Sequence, residues 1–200
     1  MYLISHRGNN KHKYIENTYE AINSSLKEEY IDGVEFDIRK TKDNKFVLSH
    51  SMFNKEKIIE NNKLKDLKLE ELENTLKKIK TNKIIIIDLK YERFKYKKYA
   101  YYLNKILKKY KHLNIYLCSF NYDLILYIKK RYKYKSGLII SNILNKCKDY
   151  DSFDFISVNY RTYKQFKNAL MIWTINDKTT LKKYQNEKIY VITDKPYLNN

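Results

Sequence analysis

The spacing of apolar residues switches several times between a period of two and a period near 3.6, and each switch marks an element. Tyr2 to Ser5 reads as a short apolar strand that delivers His6-Arg7-Gly8 at its end. A polar loop follows. Thr18 to Glu29 then carries Ala21, Ile22 and Leu26 along one helical face, with Asn17 as the expected N-cap and Glu20 three residues on, as in a capping box. Within Gly33 to His50, Val34, Phe36 and Ile38 alternate with Glu35, Asp37 and Arg39, the pattern of a strand with two unlike faces. Lys40 to Lys45 is polar, with Asp43-Asn44 suited to a turn, and Phe46-Val47-Leu48 is apolar again. So short a connection allows an antiparallel return, whereas a parallel crossover needs about a dozen residues. The segment is therefore expected to be a β-hairpin, and a turn centred between Lys42 and Asp43 sets His50 opposite Glu35.

Residues 51–65 are polar and irregular. Leu69, Leu72, Leu76 and Ile79 give Lys68 to Lys80 helical spacing. Lys83 to Lys90, with isoleucine at 84, 85, 86 and 87, reads as a strand buried on both faces, as in a parallel sheet. Beyond it the spacing predicts a Tyr-rich helix over 93–111, a strand over 114–120, a helix over 123–132, and strands over 137–140 and 154–158. A short helix over 163–167, a strand over 170–175, a helix over 177–185 and a last strand over 189–193 complete the chain. Strands alternating with helices call for a parallel α/β architecture. About nine strand segments in 200 residues predict a compact TIM-type (β/α)8 barrel, the extra strand being one arm of the hairpin around residues 33–50. A doubly wound open sheet is the alternative, but no Gly-x-Gly-x-x-Gly follows the first strand, so a dinucleotide site lacks its phosphate cradle. The length suits a single domain over 1–200.

Composition adds less. Lys and Arg number 41 against 23 Asp and Glu, a formal charge of +18 that would suit a binder of nucleic acid or anionic membrane. The lysines are spread over nearly every helix and loop, in a chain rich in Lys, Asn, Ile and Tyr that has only 3 Gly and 1 Pro. That distribution describes a solvated surface, so no stable nucleic-acid partner is expected, although the field still draws in anionic substrates. Cys118 and Cys147 have neither metal-clip nor disulfide spacing and read as buried thiols in a reducing compartment. No charged leader with an apolar run opens the chain, and the longest aliphatic run, Ile84 to Ile87, is far too short to span a bilayer. The expected location is cytoplasmic, without a transmembrane segment and with at most peripheral contact with an anionic membrane.

In a β/α barrel the chemistry collects at the C-terminal strand ends. Here those ends carry His6 and Arg7, then Glu35 and Asp37, then Asp88 and Lys90, with Ser119, Asn159, Trp173, Asn176 and Asp194 on later strands. Glu35 and Asp37, two apart on a strand, share one face and converge as hard cations require. Three carboxylates suffice for one divalent cation whose shell is completed by water and substrate oxygen, while Arg7 and Lys90 complement phosphate charge. His6 and His50 can then serve as general base and general acid across a phosphodiester. Each residue also has a plainer reading: a satisfied strand-end histidine, Asp88 as a helix cap, Lys90 as one more solvated lysine.

Together these residues resemble the glycerophosphodiester phosphodiesterases, a branch of the phospholipase-C-like barrel superfamily. The resemblance covers nearly the whole chain. It is carried by His6-Arg7-Gly8, Glu16-Asn17-Thr18, Val34-Glu35-Phe36-Asp37, the Lys42-Asp43 turn running on to His50, Trp173-Thr174-Ile175-Asn176 and Thr193-Asp194-Lys195-Pro196. Gly8, Gly33 and the sole proline, Pro196, fall at these motif positions. The resemblance implies a TIM barrel that binds one divalent cation, Mg²⁺ or Ca²⁺, through Glu35, Asp37 and Asp88. It implies His6 and His50 as the acid/base pair and Arg7 and Lys90 on the phosphate, with Trp173 beside the substrate. Glu16, Asn17 and Ser119 are expected in support, Glu16 by holding Arg7 or the first loop. The implied reaction is metal-dependent hydrolysis of a glycerophosphodiester, a small-molecule substrate, to glycerol 3-phosphate and an alcohol, through internal attack by a glycerol hydroxyl and a cyclic intermediate.

The chain departs from the family pattern at Ile15, where proline is usual, at Ser51, where an aspartate usually follows the histidine, and at Asp88, where glutamate is usual. Ser51 leaves His50 without its customary orienting partner. Residues 51–65 are too few for a large insertion, and the chain is short for a fold that typically runs to roughly 250 residues, so an open pocket with loose substrate choice is expected. Two alternatives use the same residues differently. A phospholipase-D-like enzyme acting on lysophospholipid or sphingomyelin would release a cyclic phosphate and should show an apolar rim near Trp173. A non-enzymatic basic barrel would bind nucleic acid or anionic lipid by charge and stacking, and its binding would survive loss of His6 and Glu35.

Overall fold

The apolar strand segments hydrogen-bond in parallel, each to the next, until the last returns to the first. In the computed structural model, which describes residues 1–9, 13–91, 95–141 and 149–199, the chain opens with β1 (Tyr2–Ser5), α1 (Tyr19–Lys27), β2 (Gly33–Lys40) and β3 (Phe46–Leu48). It continues through β4 (Phe53–Asn54), β5 (Lys57–Ile58), α2 (Leu72–Lys78), β6 (Ile84–Leu89), α3 (Tyr96–Leu107) and β7 (Asn114–Ser119). The second half runs α4 (Tyr122–Tyr132), β8 (Lys135–Ile140), β9 (Phe155–Asn159), β10 (Ala169–Trp173), α5 (Lys178–Lys183) and β11 (Tyr190–Thr193). Going round the sheet, the parallel strands are β1-β2-β6-β7-β8-β9-β10-β11, and β1 pairs with both β2 and β11. The sheet is therefore a closed eight-stranded barrel of the TIM type. β3 stands outside the ring as the antiparallel partner of β2, and β4 with β5 makes a small separate hairpin within the irregular 51–65 stretch. Among the described residues no helix is long and apolar enough to cross a membrane.

The period-two alternation decides what faces where. Val34, Phe36 and Ile38 of β2 and Ile85 and Ile87 of β6 point outward into the large core shared with the helices, against residues such as Leu72 and Leu76 of α2. The opposite face of the sheet closes on a smaller core formed by Ile4, Ile86, Tyr116, Cys118, Ile139, Phe155, Met171 and Ile192. Glu35, Asp37 and Asp88 share that inward face by alternation, above the apolar plug. The plug is tight at Gly137, where an added Cβ would lie 2.0 Å from Cε2 of the buried Phe155. Gly137→Ala is expected to destabilise the chain by about 1–3 kcal/mol, the usual cost of overpacking, measured by urea unfolding; an unchanged midpoint would show that the Phe155 ring yields freely.

Several local expectations are corrected. The hairpin pairs Ile38 with Leu48, Arg39 with Val47 and Lys40 with Phe46, one residue away from the register that would set His50 opposite Glu35. The turn explains the shift. Thr41 N–H donates to the Lys45 carbonyl at 2.8 Å and Asn44 adopts φ 60°, the left-handed conformation that asparagine tolerates, so an odd number of residues joins the strands. At α1, Thr18 rather than Asn17 is the N-cap, its Oγ1 accepting from Ala21 N–H at 3.3 Å. Asn17 is unavailable because both atoms of its amide are committed to Asp37. The helices expected over 68–80 and 93–111 are shorter, at Leu72–Lys78 and Tyr96–Leu107, with residues 93 and 94 outside the described residues. The helix expected over 163–167 is a single 3-10 turn at Tyr163–Gln165. Cys118 is a buried free thiol, and Cys147 lies outside the described residues.

Candidate active site

The β2–β6 register sets Asp37 directly beside Asp88, with Glu35 two residues below on the same face. One oxygen from each of the three carboxylates lies within 4.8 Å of the others. All three are buried, at 4 % exposure for Glu35, 1 % for Asp37 and 5 % for Asp88. Lys90, just past the end of β6, returns its Nζ to Asp88 Oδ2 at 2.6 Å and Asp37 Oδ1 at 3.0 Å. Asn17 Nδ2 donates to Asp37 Oδ2 at 3.0 Å and Asn17 Oδ1 accepts from the Asp37 N–H at 2.9 Å. Asn17 itself is held at φ 55°.

The loop after β1 is shaped to complete this cluster. Arg7 sits at φ 54° and Gly8 at φ 69°. At Gly8 a Cβ would fall 2.7 Å from the Ile22 nitrogen, so only glycine lets the loop close on α1. The left-handed Arg7 aims its own N–H at Glu35 Oε2, 3.1 Å away. Its guanidinium reaches Glu16 Oε1 at 2.8 Å and Asp37 Oδ2 at 3.3 Å. Such sparsely populated backbone conformations persist where surrounding contacts enforce them, and they gather at functional sites.

His6 is clamped from β11, the strand beside β1. Its Nδ1 lies 2.6 Å from Asp194 Oδ1, and its Nε2 lies 3.8 Å from Glu35 Oε2. Asp194 is in turn fixed by Asn176, whose Nδ2 donates to Oδ2 at 2.6 Å and whose Oδ1 accepts the Asp194 N–H at 2.9 Å. A cavity of about 200 Å³ opens over the cluster, lined by His6, Arg7, His50, Lys90 and Trp173 as well as the carboxylates. His50 is exposed at its mouth, and its carbonyl accepts two bonds from the Arg39 guanidinium at 3.1 and 3.0 Å. Ser51, instead of touching the imidazole, uses its Oγ to accept the Phe53 N–H at 3.0 Å. Trp173 forms one wall with Phe120, edge to face with centroids 6.4 Å apart. Ser119 does not line the cavity: it donates to the Leu89 carbonyl at 2.8 Å and accepts from Asn121 N–H at 3.1 Å, tying β7 to β6. Strand-end reasoning reached Asp194 and Asn176 without giving them a role, and it missed Phe120, which follows Ser119 directly at the end of β7.

Burial and crowding set the electrostatics. Burial drives the Glu35 carboxyl up to about 8, with the charge of Asp37 adding to it and that of His6 opposing. Burial likewise lifts Asp88 to about 6 against the pull of Lys90. Asp37 goes the other way: burial would raise it, but the Lys90 ammonium, Asn17 and Arg7 together hold it below the usual carboxylate range. Lys90 is raised, because Asp88 and Asp37 outweigh its burial. His6 is raised against its burial by the Asp194 bond and the Glu35 charge, while His50 is lowered by burial and by Lys90, Arg7 and Arg39. Asp88 Oδ1 is buried without a hydrogen-bond partner. A set of converging hard oxygens, one of them unpartnered and with two of the three carboxyls raised toward protonation, fits a divalent cation.

Residues 6–90 match the sequence profile of the Glycerophosphoryl diester phosphodiesterase family. That span contains all of the carboxylates, Arg7, Lys90 and both histidines of the cavity. No curated protein matches the sequence. Among solved structures, the chain is similar to a glycerophosphodiester phosphodiesterase from Thermotoga maritima, with 26% identity, 98% of this chain and 96% of that one covered, and a TM-score of 0.78. It is also similar to a glycerophosphodiester phosphodiesterase from Parabacteroides distasonis, with 20% identity, 96% and 92% covered and a TM-score of 0.81. A phosphodiesterase from Oleispira antarctica in complex with the product sn-glycerol-3-phosphate has 19% identity, 97% and 93% covered and a TM-score of 0.82. By the profile of residues 6–90 and the barrel it shares along its length, the chain is similar to the glycerophosphoryl diester phosphodiesterases.

Proposed function

We propose that this barrel hydrolyses glycerophosphodiesters to glycerol 3-phosphate and an alcohol at one divalent cation, Mg²⁺ or Ca²⁺, held by Glu35, Asp37 and Asp88. The observation that carries the reading is the meeting of three buried carboxylates with Arg7, Lys90 and a clamped His6 in one open cavity. When bound, the cation supplies a Lewis acid for a phosphoryl oxygen and offsets the repulsion among the carboxylates. Arg7 and Lys90 complement the remaining phosphate charge, and their pairing with Asp37 keeps both side chains in place before substrate arrives. Asp194 holds the Nδ1 side of His6, which leaves Nε2, the nitrogen nearer Glu35, for proton transfer. His6 and His50 act as the acid/base pair: one accepts the proton of the attacking glycerol hydroxyl while the other protonates the leaving alcohol oxygen, and with the roles reversed water then opens the resulting cyclic phosphate to glycerol 3-phosphate. Trp173 flanks the substrate, and Glu16 and Asn17 hold Arg7 and Asp37 in position. Residues 1–200 act as one unit in the cytoplasm on a small-molecule substrate, with no stable nucleic-acid partner.

One observation favours a second reading. Phe120, half exposed against Trp173, gives the cavity an apolar rim that suits a lysophospholipid or sphingomyelin cleaved to a cyclic phosphate. Phosphorus NMR of the products separates the two. With cation present, glycerophosphocholine is expected to yield the phosphomonoester glycerol 3-phosphate; a cyclic phosphate from lysophosphatidylcholine, with glycerophosphocholine untouched, would displace the first reading.

Cation binding is also expected to be linked to protons. In the cation-free chain Glu35 and Asp88 hold protons up to about 8 and about 6. Ligation needs the carboxylates ionised, so affinity rises with pH through this window and binding releases protons. Calorimetry in two buffers of different ionisation enthalpy reads the release. An affinity unchanged from pH 6 to pH 8 would place the cation elsewhere.

A further inference from the structure

Among the described residues, the exposed large apolar side chains are the tyrosines Tyr2, Tyr14 and Tyr101, whose hydroxyls suit water, and Ile15, Met52, Phe53 and Phe120, which have no polar group. The second set is not scattered. Ile15 lies on the loop after β1, Met52 and Phe53 on the segment after β3 that also carries His50, and Phe120 directly after β7. Two of them border depressions that share a residue with the catalytic cavity, and a third lines the cavity itself. Ile15, at 79 % exposure, lines a groove with His50. Met52 lines a second with Lys90, and Phe120 lines the cavity itself. The apolar groups therefore ring the mouth of the barrel.

Cations accompany each of them. Lys13 precedes Ile15 by two positions, with its Nζ 5.3 Å from the Tyr14 ring centroid. Arg39 and Lys40 line the depression that holds Met52. Lys55 and Lys57 follow Phe53 in the chain, and Lys90 Nζ stands 5.7 Å from the centre of the Phe120 ring. Apolar groups flanked by lysine and arginine at one end of a chain of net charge +18 match the headgroup region of an anionic bilayer, where apolar groups enter and cations meet phosphate. We propose that the mouth of the barrel docks on an anionic phospholipid surface, with Ile15, Met52 and Phe53 entering the headgroup layer and the cavity facing the lipid.

Trp173 makes this testable, because it is the only tryptophan in the chain and packs against Phe120 at the mouth. The full chain is mixed at physiological salt with phosphatidylcholine vesicles that do or do not contain phosphatidylglycerol. Binding is followed by co-sedimentation, and the position of Trp173 by quenching with a nitroxide on the lipid headgroup. Binding to the anionic vesicles only, with Trp173 quenched, is expected. An Ile15→Ser/Met52→Ser/Phe53→Ser variant should bind about tenfold more weakly or worse, as loss of buried apolar area at three positions requires. Its turnover of a water-soluble glycerophosphodiester should stay unchanged, since none of the three belongs to the catalytic machinery. Binding that leaves Trp173 unquenched, or that the variant retains in full, would mean attachment by charge through another face and overturns the proposal. No binding, equal binding to uncharged vesicles, or a variant-sensitive self-association in place of vesicle binding overturns it as well. Vesicle binding and soluble-substrate turnover are separate readouts, so the failure of either leaves the other standing.

Discussion

His6→Ala is expected to lower turnover of a glycerophosphodiester by about 10²-fold or more, the scale of losing a general acid or base, while leaving the fold and cation affinity nearly intact. The imidazole lies at the cavity wall and is not part of the packed core, so its loss opens no large void. Asp194 is not orphaned by the change, because the Asn176 amide still holds its second oxygen at 2.6 Å. The three carboxylates keep Lys90, Arg7 and Asn17. Asp194→Asn gives the matching control: it keeps the imidazole but replaces its charged anchor, and should cost less turnover than His6→Ala while shifting the pH profile. Steady-state kinetics at saturating cation decide the matter. Near-native turnover of His6→Ala would remove His6 from the chemistry.

Glu35→Gln is expected to move stability and activity in opposite directions. The folded-state carboxyl is raised from 4.5 to about 8, first by burial and then by Asp37. A raised acid is protonated in the fold at pH values where the unfolded chain has already ionised. Its contribution to stability is therefore present below about 4.5 and is lost as pH rises toward about 8. At roughly 1.4 kcal/mol per pH unit, the loss across that window is on the order of a few kcal/mol in the absence of cation. Asp88, lifted to about 6, works in the same direction over a narrower range. Glutamine carries no charge to desolvate and still offers an oxygen to the Arg7 N–H. The chelator-treated variant should accordingly be more stable than the native chain at pH 8 and flatter in its pH dependence, yet inactive and unresponsive to cation. Urea unfolding with chelator at pH 5 and pH 8 measures this. A variant less stable than native at pH 8 would mean that the carboxylate is welcomed in the fold without a cation, against the crowding at Asp37 and Asp88.

The sequence made the barrel legible because each strand and helix announced itself locally. The period-two run at Val34 to Ile38 marked a strand with one polar face, which carries Glu35 and Asp37, and the isoleucines at 84–87 marked a strand buried on both faces that delivers Asp88 at its end. What local pattern could not supply was register. Asp37 beside Asp88 is a consequence of β2 pairing with β6, and the misplacement of His50 by one residue came from the left-handed turn at Asn44, a choice invisible in the apolar pattern. Asn17 looked like a cap because its type and position suit one, yet its amide is taken by Asp37 from another element. The His6–Asp194 clamp joins residues 188 apart, at the two ends of the chain, and exists only because β11 closes the barrel on β1. The sequence implied that the barrel closes, but not which side chains the closure would bring into contact.

The central claim, a cation at Glu35, Asp37 and Asp88 that the chemistry needs, is tested most directly by titrating Mg²⁺ or Ca²⁺ into the chelator-treated chain. Glycerol 3-phosphate release and thermal midpoint are followed together in the native protein and in Glu35→Gln. Release should be absent before cation is added, then rise with the midpoint along one shared binding curve, and both responses should be missing in the variant. Full release in the presence of chelator, or a cation response that survives Glu35→Gln, would contradict the assignment.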